Sequence, residues 1–316
     1  MALTTGQTKA VFIDGEAGTT GLEIRDRLAG AQDISVRSID PEKRKDPEAR
    51  AAMMREVDLV VLCLPDDAAK EAVAIADGLG DDAPKIVDAS TAHRVAPGWV
   101  YGFAELDSKQ AGAIARAQRV ANPGCYPTGG IALIRPLVDA GIMPADAAIT
   151  VNAVSGYSGG GKAMIEAYEV KKTAPSFELY GLGLEHKHVP ELHKYSRLER
   201  RPIFVPSVGN FRQGMLVSVP LHIGMLPGRP SLSDIEDALA QHYSGSKLVS
   251  VVRDAATVFK GRISAEDLNG TDTMQLAVFG HAEHGQAVLV ARLDNLGKGA
   301  SGAAVQNIRL MLGLAD

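Results

Sequence analysis

Along the first third of the chain, short apolar runs alternate with stretches whose apolar residues recur at helical spacing. Residues 10–14 form one such run and stop directly at Gly15. Leu22, Ile24 and Leu28 then lie among charges over 20–29, and 34–39 alternates apolar and polar positions. A strand, a helix and a second strand are expected there. The stretch 46–57, rich in Ala, Arg, Met and Glu, predicts a helix with Pro47 in its first turn. Residues 57–64 are almost continuously apolar up to Pro65, the pattern of a strand buried on both faces of a parallel sheet. A helix over 68–79 and a strand over 85–89 follow. Successive β–α units of this length, with short links, specify a doubly wound parallel sheet of Rossmann type. Ligands of such a sheet sit beyond the carboxyl ends of its strands.

The pattern changes further on. Segments 147–154, 217–223, 274–280 and 287–293 read as half-buried strands, which predicts a mostly antiparallel sheet with one face covered. The glycine-rich stretch 294–302 feeds an apolar helix carrying Ala303, Val305, Ile308, Leu310 and Met311, expected to pack back on the first domain. Two domains are therefore expected: a discontinuous dinucleotide-binding domain of 1–122 and 294–316, and a catalytic and oligomerisation domain of 123–293.

Composition narrows the function classes. The chain has 316 residues, 46% of them hydrophobic and 22% charged, and its net charge of −5 argues against nucleic acid or an anionic membrane as the main partner. Two cysteines make no disulfide framework, so a reducing cytoplasm is expected. No secretory signal opens the chain, and no apolar run approaches the roughly 18 residues of a membrane span.

Candidate chemistry lies in the loops. The block 122–130 sets Cys125 in a Pro/Gly turn just before an apolar run. A thiol at a helix start lies in the positive end of the dipole, which favours the thiolate, and free N–H groups there can hold an oxyanion. Gly15, Gly18 and Gly21 follow the first strand and precede a helix, the context in which a glycine loop holds a pyrophosphate; an ordinary tight turn is the alternative. Ser38 ends the second strand and Lys43, Arg44 and Lys45 follow, favouring the 2′-phosphate of NADP. Asp40 argues for NAD, and a solvated lead-in to a helix would also explain the basic run. The loop 155–162 combines Ser155, Ser158, three glycines and Lys162, as donors to an anion or as a hinge. Residues 185–193 hold His186, His188 and His193 beside Glu191: a zinc site, a surface turn, or a proton-transfer partner for Cys125, the last being preferred. No metal is expected.

In order and spacing, the blocks 12–21, 62–67, 88–94, 121–129, 206–211 and 295–302 resemble the N-acetyl-γ-glutamyl-phosphate reductases of arginine biosynthesis, in their shorter, second type. The resemblance runs nearly end to end, and the cysteine block and the block at 295–302 are its specific parts. It implies an NADP-binding Rossmann domain joined to an α/β domain of the glyceraldehyde-phosphate-dehydrogenase type, in a homodimer or homotetramer. It implies an acyl phosphate substrate and a cysteine thioester, with Cys125 as nucleophile and His188, oriented by Glu191, as acid–base partner; His186 is its rival. Arg94, Ser90, Ser155 and Gly156 would bind the substrate. Gly15, Gly18, Thr19, Thr20, Gly21, Ser38, Arg44, Pro65 and Asn295 would bind the cofactor, Asn295 at the nicotinamide amide. The segment ahead of Lys9 lies outside these blocks and is expected to be disordered. Aspartate-semialdehyde dehydrogenase and the lysine-pathway reductase of an acylated aminoadipyl phosphate are the alternative enzymes. A zinc hydrolase and a non-catalytic NADP-binding regulator remain the other classes.

Overall fold

The computed structural model describes residues 8–314; the expectation of disorder ahead of Lys9 falls on residues 1–7, outside that range. Two compact units divide the chain. Unit 1 takes the residues up to Ala104, Lys109–Pro123 and those from Ala300 on, and unit 2 takes Glu105–Ser108 and Gly124–Gly299.

Unit 1 runs β1 (Lys9–Asp14), α1 (Thr19–Leu28), β2 (Ile34–Arg37), α2 (Pro47–Arg55), β3 (Leu59–Leu62), α3 (Asp66–Asp77), β4 (Lys85–Asp88), β5 (Val100–Tyr101), α4 (Gln110–Arg116) and β6 (Arg119–Ala121). Among the described residues these strands form one six-stranded sheet, ordered β2-β1-β3-β4-β6-β5, with every pairing parallel. Alternate side chains explain the continuous apolar runs. Val11, Ile13, Leu59 and Val61 face Ile24 and Leu28 of α1 in one core, while Phe12, Val60 and Leu62 meet Met54 of α2 and Val73 of α3 in the other. Each such burial contributes about 1.5–3 kcal/mol. The apolar run 57–64 is longer than its strand because Asp58 interrupts it, taking hydrogen bonds from the Ala10 amide (2.8 Å) and Lys9 Nζ (3.0 Å). Pro47 opens α2 as its sequence predicts, with the Asp46 side chain accepting from the Glu48 amide at 2.9 Å.

Unit 2 runs α5 (Cys125–Asp139), β7 (Thr150–Gly156), α6 (Gly161–Glu166), β8 (Phe177–Leu179), α7 (Val189–Tyr195), β9 (Ile203–Gly209), β10 (Met215–His222), α8 (Leu232–His242), β11 (Val249–Val252), α9 (Ala255–Phe259), β12 (Met274–His281) and β13 (Gln286–Leu293). The sheet is ordered β11-β12-β13-β10-β7-β9-β8; β11–β12 and β7–β9 pair in parallel and the other neighbours are antiparallel. The long helix α5 lies close on this sheet. A Cβ at Gly129 would come 2.8 Å from Val217 Cγ2 of β10, and one at Gly130 would come 2.7 Å from Leu192 Cδ1 of the neighbouring helix α7. The chain then re-enters unit 1 as α10 (Gly302–Leu312), which adds Ile308 and Met311 to the first core. Asp294–Gly299, expected with the returning segment, groups with unit 2. The cause is Asp294, whose carboxylate accepts from Gln213 Nε2 (2.5 Å) and from the amides of Gly270 (2.8 Å) and Leu296 (2.9 Å).

Candidate active site

In unit 1 the loops at the carboxyl edge of the parallel sheet bring the first group of candidates together. Gly15 has φ +93°, and a Cβ there would lie 2.3 Å from the carbonyl oxygen of Cys63, so only glycine fits. Gly21 is equally constrained, by Gly15 O at 2.5 Å. Gly18 caps α1, which opens with Thr19 and Thr20. This is a loop feeding a helix N-terminus, with backbone close enough for a pyrophosphate to approach. Just after β2, Ser38 shares hydrogen bonds with Arg25 and Glu16, and Arg44 pairs with Glu16 at 3.7 Å. Two guanidiniums and a hydroxyl suit a 2′-phosphate, so this unit fits NADP. Arg25 and Glu16 belong to that cluster although the glycine pattern did not single them out; Arg25 lies one helical turn after Gly21, which itself packs against the Glu16 backbone.

The loops after β3 and β4 are tied to each other. Pro65 caps α3, and Asp66 accepts from the Thr91 amide (2.9 Å) and from Thr91 Oγ1 (2.5 Å). Fully buried Asp88 accepts from Ser90 Oγ at 2.8 Å and the Ser90 amide at 2.9 Å, and it contacts His93 Nδ1 at 2.6 Å. His93 in turn stacks on Trp99, with ring centroids 4.3 Å apart. Arg94, expected on the substrate, is buried and donates from Nε to Asn122 O (3.0 Å) and from Nη2 to Ala89 O (3.5 Å). Cys63, at the end of β3, is a poor nucleophile: burial pushes its thiol up to about 12, and the carboxylates of Asp88 and Asp14 add to the effect. Burial also raises the Asp14 carboxyl, against the opposing pull of Arg50, which donates to it from Nη2 at 2.6 Å and Nε at 2.9 Å.

In unit 2 Cys125 is the first residue of α5, with Gly124 as its cap. The Gly124 amide donates to Glu191 Oε2 at 3.0 Å, while its carbonyl accepts from Thr128 Oγ1 at 2.9 Å. The buried Glu191 carboxylate therefore sits at the turn that presents the thiol. A Cβ on Gly299 would fall 2.9 Å from Cys125 Cβ, so the glycine-rich stretch of 297–299 passes directly over the thiol residue. Around it is an aromatic cluster that sequence reasoning missed. The ring of Tyr126 meets His188 (centroids 5.9 Å), His186 (6.3 Å) and Phe204 (5.3 Å), and His186 also meets His188 at 4.8 Å and Tyr180 at 5.6 Å. His188 is buried, and its amide donates to His186 Nδ1 at 3.1 Å. Tyr126 donates to Ser207 O at 2.8 Å and accepts from Tyr180 at 3.2 Å. Burial raises the Tyr126 hydroxyl far above its ordinary range and pushes Tyr180 up to about 12; the charge of Cys125 adds to both. The one hydroxyl proton of Tyr180 is thus retained and committed to Tyr126.

Ser155 is buried at the end of β7, where its Oγ donates to Gly156 O at 3.0 Å. Gly156 is pressed against the backbone of Arg212, 2.6 Å from where its Cβ would be. Asn295, expected at a nicotinamide amide, accepts from the Gly214 amide (2.8 Å) and donates to Ser158 Oγ (2.9 Å). Its amide thereby ties the Ser155 loop to the start of β10. Among the described residues no group of three or more His, Cys, Asp or Glu is arranged to hold a metal ion, and no helix is long and apolar enough to cross a membrane.

Comparison with known proteins agrees with these two halves. A family model described as the NAD binding domain of semialdehyde dehydrogenase matches residues 16–114, and one described as the semialdehyde dehydrogenase dimerisation domain matches 125–295. Curated proteins of Brucella ovis and Brucella suis, both named N-acetyl-gamma-glutamyl-phosphate reductase, are each 56% identical over 307 residues, covering 96% of this chain and 98% of theirs. In fold, aspartate semialdehyde dehydrogenase II of Vibrio cholerae complexed with ASA matches at a TM-score of 0.70 and 16% identity, covering 98% of this chain and 99% of that one. Aspartate semialdehyde dehydrogenase with NADP from Candida albicans matches at 0.65 and 13%, covering 97% and 99%. With more than half its residues shared along nearly its whole length, the chain belongs to the N-acetyl-γ-glutamyl-phosphate reductases of the semialdehyde dehydrogenase family.

Proposed function

We propose that the protein reduces N-acetyl-γ-glutamyl phosphate to N-acetylglutamate 5-semialdehyde and phosphate, at the expense of NADPH, in arginine biosynthesis. The observation that carries this reading is Cys125 at the first position of α5, in a family whose curated members bear that name. The Cys125 thiolate attacks the acyl carbon, a C–S bond forms, and the C–O bond to phosphate breaks. His188 gives its proton to the departing phosphate oxygen; His186 is the alternative donor. NADPH, when bound, supplies the hydride that reduces the thioester carbonyl. The resulting alkoxide re-forms a carbonyl as the C–S bond breaks, which releases the aldehyde and restores the thiolate. Amides at the start of α5 are suited to hold the developing oxyanion.

In this reading Gly15, Gly18, Thr19, Thr20, Gly21 and Pro65 hold the pyrophosphate side of the cofactor, Ser38 and Arg44 its 2′-phosphate, and Asn295 keeps the loop near its nicotinamide in shape. Arg94 and Ser90, with Ser155 and Gly156, serve the anionic groups of the substrate. The enzyme works in the cytoplasm as a homodimer or homotetramer. The family description of residues 125–295 supports self-association, as do the exposed Phe177, Leu179 and Leu182 at and after the edge strand β8. Phosphate-dependent oxidation of N-acetylglutamate semialdehyde, run with NADP and then NAD, tests the function; NADP should be strongly preferred. No turnover with either, or faster turnover of aspartate semialdehyde, would remove the assignment. In the same assay His188→Asn should lower kcat by about 100-fold or more, the usual size of acid–base catalysis. A larger loss for His186→Asn would pass the role to that residue.

A further inference from the structure

At the carboxyl end of β2, three donors converge on one acid. Ser38 Oγ donates to Glu16 Oε2 at 2.8 Å, Arg25 Nη1 pairs with the same oxygen and donates to Ser38 Oγ at 2.8 Å, and Arg44 Nη2 lies 3.7 Å from Oε1. Glu16 follows Gly15 in the nucleotide loop. Its side chain is 14% exposed, against 44% for each arginine. Two guanidiniums and a hydroxyl form the donor set of a phosphate dianion, and a carboxylate among them repels such a dianion. In an NAD site the acid that takes the ribose hydroxyls stands at the end of the second strand. Here that place holds Arg37 and Ser38, and the acid arrives from the glycine loop with cations around it.

We propose that Glu16 is an internal occupant of the 2′-phosphate subsite made by Arg25, Ser38 and Arg44, and that it swings to solvent when the 2′-phosphate of NADP enters. The inference rests on NADP being the cofactor. With the subsite free of phosphate, the carboxylate holds two mutually repelling guanidiniums together in a binding arrangement. With phosphate present, the same carboxylate is the competitor that keeps the complex from becoming too tight. Glu16 therefore sets how firmly the 2′-phosphate is held, while the adenosine and the pyrophosphate are held elsewhere.

Calorimetric titration with adenosine 2′,5′-bisphosphate and with 5′-AMP reads this subsite without any turnover. Wild-type protein should prefer the bisphosphate. Glu16→Gln should tighten the bisphosphate by about tenfold, the worth of one charge-assisted contact, and leave 5′-AMP within about twofold. Arg25→Met should weaken the bisphosphate by about tenfold and likewise spare 5′-AMP. If wild type prefers the bisphosphate but Glu16→Gln binds it no tighter, the role of Glu16 is overturned and the cofactor reading stands. Loss of 5′-AMP binding in Glu16→Gln would make the residue a ribose ligand instead, and so also overturn its role. Equal binding of the two probes by wild type overturns both readings.

Discussion

The two cysteines occupy opposite kinds of position. Cys63 ends a strand, in a part of unit 1 where burial and two nearby carboxylates keep its thiol protonated up to about 12. Cys125 begins a helix, with Gly124 as its cap and the amides of the first turn beside it. Each is overhung by a glycine that cannot carry a side chain: Gly15 against the Cys63 carbonyl, Gly299 against the Cys125 side chain. The two thiols thus differ in surroundings: one is buried beside carboxylates, the other stands at the first position of a helix.

The most severe test of that contrast is to remove each sulfur in turn. Cys125→Ser should cost about 10⁴-fold or more in kcat, as loss of a covalent nucleophile does, whereas Cys63→Ala should stay within about twofold. Comparable losses from both would erase the distinction. The overhanging glycines give a sharper version. Gly299→Ala should push the thiol off line and lower kcat by about 100-fold with little change in Tm. Gly15→Ala should instead destabilise the fold by about 3 kcal/mol, through a left-handed φ and a clash with backbone, seen as a lower denaturation midpoint. The smallest effect is alkaline. Between the ordinary thiol value of 9.0 and about 12, the unfolded chain has released the Cys63 proton and the folded chain has not, so stability falls as pH rises through that window. Cys63→Ala should remove about 1 kcal/mol of the decline between pH 8 and pH 10 in denaturant titrations, and an unchanged slope would show that the Cys63 thiol is not held up.

What the sequence makes legible follows from how local the cause is. The strands β1 and β3 are visible because both of their faces are buried, so Val11 to Ile13 and Leu59 to Leu62 read as unbroken apolar runs. The helix start at Pro47 and the turn at Cys125 are visible for the same reason, since their signals lie within a few residues. The short β5, β6 and β8 carry too few residues to show a period. The ring cluster of Tyr126, Tyr180 and Phe204 is invisible for another reason: its members come from α5, a loop and β9, and only the folded sheet brings them together. Asn295 shows the limit of a residue's type as a guide. Its amide could serve a cofactor or the backbone, and the Gly214 and Ser158 contacts that distinguish these uses are set by distant chain.

The close approach of α5 to β10 at Gly129 and to α7 at Gly130 has a consequence for how such an enzyme can change over time. With no side chain on α5 at those positions, Val217 and Leu192 fill the space against it, and a larger residue at either place would press on the helix that begins at Cys125. In a lineage, substitutions at Val217 or Leu192 would therefore be read out at Cys125, the first residue of that helix.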